Sequence, residues 1–184
     1  MIESLYLTLQ KASQTEAGKE LKTYAIFDGV KHPNLYKILQ DSKLPFDMLF
    51  KEENLRKKLK KVAPYVVELD FIKKELTADT EKILELYKKE SVMFITSSLA
   101  LKEQLEYLQQ IFYILDENHE VESYFRFYDS EIFNTLLYNT NKLFLKNLFK
   151  NIAYYWYTLE DEKKELIQVE YIGEEVKHLV ITLS

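Results

Sequence analysis

Residues 61–96 read KVAPYVVELDFIKKELTADTEKILELYKKESVMFIT, and this stretch decides the fold. YVVEL (65–69) is rich in the β-branched and aromatic side chains that suit a pleated, half-buried surface. SVMFIT (91–96) is apolar enough for a buried strand. Between them, Ile83, Leu84 and Tyr87 share one face of a helix predicted over about 79–90. Asp70 is placed to cap a helical segment directly after the first of these strands. Strand, helix and strand in succession point to α/β layering.

The same alternation continues outward. Toward the N-terminus, the first twenty residues read as a helix ending near Gly18, and YAIF (24–27) as a strand closed by the turn pair Asp28-Gly29. Pro33 opens a helix with Leu35, Ile38 and Leu39 on its apolar stripe. LPFDMLF is a short extended piece, and a helix over 52–62 carries Leu55, Leu59 and Val62. Toward the C-terminus, Leu101, Leu105, Leu108, Phe112 and Leu115 mark a long helix over 98–115. SYFRFY (123–128) reads as a strand, and Asp129 and Thr140 as N-caps of two further helices. AYYWYTL (153–159) and ELIQVEYI (165–172) flank a charged turn and predict an antiparallel hairpin, to which VKHLVITL (176–183) adds a last strand. The expected architecture is an α/β fold: a mixed sheet flanked by helices, closed by an antiparallel C-terminal hairpin.

Composition bounds the function. The 184 residues suit a single domain over 1–184, with no Pro- or Gly/Ser-rich linker and no internal repeat. With 47% hydrophobic and 14% aromatic residues, the chain has the material for a core. It has no cysteine, which removes disulfides, thiolate metal sites and cysteine nucleophiles. A net charge of −5 argues against a nucleic-acid partner, whose affinity comes mainly from phosphate neutralisation. MIESLYLTLQKASQ lacks the basic start of a signal peptide, and no apolar run approaches a membrane span. The expectation is a soluble, cytoplasmic protein with no membrane partner.

Three glycines supply neither a GxGxxG turn nor a P-loop, and the serines lack a GxSxG elbow. His32, His119 and His178 stand in no metal-ligand spacing and read as incidental polar residues. No metal, cofactor or catalytic set is therefore expected.

Four features keep two readings each. Glu68 and Asp70 alternate onto one face at a strand end, where acid–base chemistry could sit; alternatively Asp70 caps a helix and Glu68 pairs with a cation. Arg126 falls between Tyr124 and Tyr128 on one strand face, with Phe125 and Phe127 opposite. It either staples strand ends, with Asp28 as partner, or belongs to a recognition site. Lys51, Arg56, Lys57, Lys58, Lys60 and Lys61 form a solvated helix face or dock an acidic partner. Tyr154, Tyr155, Trp156 and Tyr157 put rings on both sides of a strand. One side enters the core, and the other is covered by the chain itself or by a partner, which makes Tyr155, Trp156 and Tyr157 candidates for partner binding.

Three segments in order carry a resemblance over roughly residues 20–160: YAIFDG (24–29) followed by HPNLYKIL, KVAPYVVELD (61–70), and YFRFYD (124–129) opening a helix. Together they resemble a bacterial family, once a domain of unknown function, of type VI secretion effector adaptors or chaperones. SVMFITSSLALKEQLEYLQQIF sits where that family carries a strand and a helix. The resemblance implies a non-enzymatic cytoplasmic protein, encoded beside the VgrG spike, that binds an effector and helps load it onto that spike. The matching positions are Asp28, Gly29, Pro64, Glu68, Asp70, Arg126, Tyr128 and Asp129, expected as fold signatures. Ser130 departs from the proline common after the aspartate, and the chain ends soon after the hairpin, where many relatives continue into a helical region. The alternative from another class is a small acidic immunity protein that neutralises a toxin; a third is an enzyme using Glu68 and Asp70.

Overall fold

A computed structural model describes residues 1–14, 21–71, 75–89, 92–115, 118, 120–159 and 164–184. The chain runs α1 (Ile2–Ser13), β1 (Lys22–Phe27), α2 (Leu35–Asp41), β2 (Phe46–Met48), α3 (Glu53–Leu59), β3 (Tyr65–Leu69), α4 (Ala78–Leu86) and β4 (Met93–Ser97). It continues through α5 (Leu101–Phe112), β5 (Tyr113–Leu115), β6 (Val121–Tyr124), α6 (Ser130–Asn139), α7 (Lys142–Leu148), β7 (Ile152–Tyr157), β8 (Glu165–Ile172) and β9 (Glu175–Thr182).

Seven strands form one sheet in the order β2-β3-β1-β4-β7-β8-β9, and β5 with β6 forms a separate two-stranded ribbon. The α/β class and the antiparallel C-terminal hairpin are those the sequence predicts. Within the sheet, however, all the pairings are antiparallel, whereas a mixed sheet would also hold parallel pairs. The cause is intercalation. Helix α2 connects β1 to β2, which run in the same direction, but β3 lies between them. Helix α4 likewise connects β3 to β4 across β1. These two crossovers join co-directional strands, and in each case a strand of opposite direction separates the pair; α3, by contrast, joins β2 to its antiparallel neighbour β3.

The core lies around the central strands. β4 is buried at every position and β1 at all but its first, so both faces of the sheet are covered there. Helix α1 packs on α4 and β1. From α5, Leu105, Leu108 and Phe112 turn inward, each fully buried apolar side chain contributing about 1.5–3 kcal/mol. At the far end of the sheet the burial lapses, and β9 is largely exposed.

Several boundaries differ from the expectation. Helix α1 ends at Ser13, and the segment around Gly18 lies outside the described residues, as do His119 and the chain after Asp70 (72–74) where a capped helix was expected. Helix α3 stops at Leu59, leaving Val62 exposed in the following turn. Helix α5 stops at Phe112, because Tyr113–Leu115 pair with β6; Leu115 fits the helical spacing but is exposed in the ribbon. Thr140 ends α6, and Asn141 caps α7 by accepting from the Phe144 N–H at 2.9 Å. The largest correction concerns SYFRFY. Strand β6 ends at Tyr124, and a tight turn follows in which the Phe127 N–H donates to the Phe125 carbonyl at 2.9 Å. Arg126 is therefore not on a strand face between Tyr124 and Tyr128.

Candidate functional site

Six of the eight signature positions gather at one end of the central strands. Asp28 follows β1, Pro64 precedes β3, and the two strand ends are neighbours because Phe27 pairs with Tyr65. Gly29 presses against the chain there: its N–H donates to the Ala63 carbonyl at 3.1 Å, and a Cβ on Gly29 would lie 2.3 Å from that same oxygen. Only glycine fits such a backbone approach. The Pro64 carbonyl accepts from the Leu49 N–H at 3.0 Å, which ties β2 to this corner.

Charges close the corner. Arg126 Nη2 lies 2.7 Å from Asp28 Oδ2 and 3.5 Å from Asp129 Oδ2, and Lys31 Nζ is 4.0 Å from the same Asp129 oxygen. Asp28 Oδ1 accepts from the Val30 N–H, and Asp129 Oδ1 from the N–H groups of Glu131 and Ile132 at the start of α6. The Tyr128 phenol, beside them, is pushed up to about 12, chiefly by burial and next by the Asp28 charge, against the opposing pull of Arg126. The crevice enclosed by these groups measures only about 10 Å³, too small for a substrate. The arrangement joins the end of β1 to the start of α6, as a staple does. Its cation is nevertheless exposed, with 46% of the Arg126 side chain open to solvent.

Glu68 and Asp70 lie at the opposite end of β3, on the wall of a cavity of about 620 Å³ that Lys22, Lys43 and Asp79 also line. Glu68 Oε1 accepts from Lys22 Nζ at 2.7 Å. Burial, and then the Glu68 charge, raise the Tyr24 hydroxyl above its ordinary range, and that hydroxyl donates to the Leu99 carbonyl at 2.6 Å. Among the described residues no group of His, Asp and Glu is arranged to hold a metal ion.

The aromatic run is core. Tyr155, Trp156 and Tyr157 are each at most 1% exposed. Their polar atoms are satisfied inside: Tyr155 donates to the Leu148 carbonyl at 2.8 Å, Trp156 Nε1 to Thr96 Oγ1 at 3.0 Å, and Tyr157 to Asn134 Oδ1 at 2.8 Å. These three candidates for partner binding thus present no ring surface to a partner. The covering comes from the chain itself, with Phe133 of α6 and Phe149 packed on Tyr155. The basic cluster is also partly engaged. Arg56 pairs with Asp47 and donates to the Phe50 carbonyl, Lys57 pairs with Glu53, and Lys51 and Lys60 lie over the rings of Tyr113 and Tyr36.

One surface feature was not anticipated from the sequence. Between α5 on one side and α6 with α7 on the other runs a groove of about 870 Å³, continued along α6 by a second hollow of about 440 Å³. Phe125 and Leu136 line both, so the two are continuous. A sequence signal existed. Helix α6 is apolar at 132 and 136 as well as at 133 and 137: Phe133 and Leu137 are buried, which leaves Ile132 and Leu136 as a second stripe along the groove. No helix among the described residues is long and apolar enough to cross a membrane.

No curated protein and no solved structure matches this chain. Residues 23–142, more than half of the chain, match the family described as a domain of unknown function (DUF4123), and the chain belongs to that family.

Proposed function

We propose that this protein is a non-enzymatic, cytoplasmic adaptor that holds a type VI secretion effector and helps load it onto the VgrG spike. The observation that carries this reading is the distribution of exposed apolar surface. Among the described residues, seven of the thirteen large exposed apolar side chains fall between Ile114 and Leu143, within the excursion that connects β4 to β7. Of these, Ile114 and Ile132 line the groove beside α5 and α6, and exposed apolar surface in a groove marks a place where another protein sits. The ordered segments YAIFDG, KVAPYVVELD and YFRFYD, which carry the resemblance to effector adaptors, support the adaptor class. The signature residues also have evident structural employment, since Gly29 meets Ala63 and Arg126 meets Asp28.

The test is genetic. Deleting the gene should abolish delivery of one cognate effector while secretion of the tube protein persists. Loss of every effector would overturn the reading, and self-intoxication of the deletion strain would favour an immunity protein instead.

A further inference from the structure

We infer that the groove between α5 and α6–α7 is the cargo-docking surface and that it takes an amphipathic helix with basic flanks. This deepens the adaptor reading and rests on it. The shape argues for a helix: one wall is a twelve-residue helix, which spans about 18 Å, so the trough has room for about three turns of a partner laid alongside. The floor is apolar where the two hollows meet, at Phe125 and Leu136, and Ile111 and Ile132 extend it in either direction. Such a floor accepts a seam of residues at helical spacing.

Charge selects the flanks. Among the described residues that line the two hollows, Glu103 and Glu106 stand on the α5 wall and Glu131 on the α6 side, against one cation, Lys150. All four are exposed, so the field at the mouth is negative and opposes an acidic helix. A helix with lysine or arginine beside its apolar seam gains at both walls, and the contact weakens with salt, as exposed pairs do. The same preference matches the overall charge of −5.

The experiment displays a library of helical peptides with a fixed leucine seam and flanks randomised between Lys and Glu, and selects it on the full chain. Lys-flanked peptides should be enriched. Their binding should weaken roughly tenfold on the Glu106→Lys, Glu131→Lys double variant, and should also fall on Ile132→Ser, with thermal melts confirming that both variants fold. No enrichment, enrichment of Glu-flanked peptides, or binding indifferent to Ile132→Ser would overturn the inference. Effector delivery measured with the same variants separates the two readings. Delivery that depends on the gene but not on the groove sinks the groove alone. A groove that binds basic helices in a strain whose effector delivery ignores the gene sinks the adaptor reading, and the cargo role with it, but leaves the groove as a surface for basic helices.

Discussion

The guanidinium of Arg126 stands 2.7 Å from the carboxylate of Asp28, a residue 98 positions earlier, and joins the end of β1 to the turn that launches α6. The two partners are unequally placed: 46% of the Arg126 side chain is exposed, but only 11% of Asp28. A fully buried pair would lose about 3–5 kcal/mol when broken, whereas exposed pairs contribute about 0–1. Arg126→Ala should fall between these limits, at about 1–2 kcal/mol, because it strands a mostly buried carboxylate that keeps the Val30 N–H. Asp28→Ala should cost at least as much, since it also removes that bond. In urea melts the double variant should be less damaged than the sum of the singles. Additive losses would show that the two residues stabilise the fold independently.

Gly29 is the second part of that corner. Its place beside Ala63 leaves no room for a methyl group, because the obstructing atoms are backbone and cannot rotate away. Gly29→Ala should cost more than about 2 kcal/mol through displacement of the 62–63 segment, in contrast to the stabilisation that Gly→Ala brings at open sites. A melt unchanged from the parent would mean that the β1 and β3 ends are less closely apposed in solution.

Strand positions were the most legible part of this sequence, because their apolar runs leave few alternatives. YVVEL coincides with β3, and SVMFIT, AYYWYTL and ELIQVEYI overlap β4, β7 and β8. The 123–128 segment misled because aromatic residues satisfy strand propensity equally well in a turn; what decided its conformation was Asp129, which must face the first N–H groups of α6. The Asp28–Arg126 contact could be anticipated, since a cation among rings requires a partner, but its exposure could not. That depends on the chain leaving β6 at Tyr124. The groove escaped because a helix with two apolar stripes looks, residue by residue, like a helix with one broad stripe. Only the position of α5 reveals which stripe stays open.

The single tryptophan reports on the covered aromatic run. With Trp156 buried and bonded to Thr96, its emission should be blue-shifted and acrylamide should quench it weakly. Trp156→Phe should destabilise by about 1–3 kcal/mol, because the Thr96 hydroxyl loses a partner inside the core. The folded variant should still bind cargo. Loss of cargo without loss of stability would move the run from core to interface.

Ten tyrosines are held above the ordinary phenol range, with burial the leading cause in every case. Tyr107, Tyr128 and Tyr157 reach about 12. The unfolded chain ionises these groups near pH 10, while the folded chain retains its protons. Stability is therefore fully present below about pH 10 and declines as pH rises toward about 12. Phenolate absorbance should lag behind that of a denatured control and then rise together with loss of far-ultraviolet circular dichroism. A smooth titration near pH 10 with the dichroism intact would contradict this burial.

Glu68 and Asp70 distinguish an adaptor from an enzyme. Both face the cavity at the end of β3, where two carboxylates could exchange protons with a substrate. Glu68, however, is held by Lys22, whose side chain is 42% exposed, so the pair contributes at most about 1 kcal/mol. Glu68→Gln with Asp70→Asn keeps the shape of both side chains and removes both charges. The double variant should melt close to the parent, bind cargo and deliver it, because an adaptor needs this corner only to be folded. If the variant folds and binds cargo but delivery stops, the cavity performs chemistry and the adaptor reading is incomplete. If cargo binding itself is lost from a folded variant, the docking surface includes the end of β3 and is not confined to the groove.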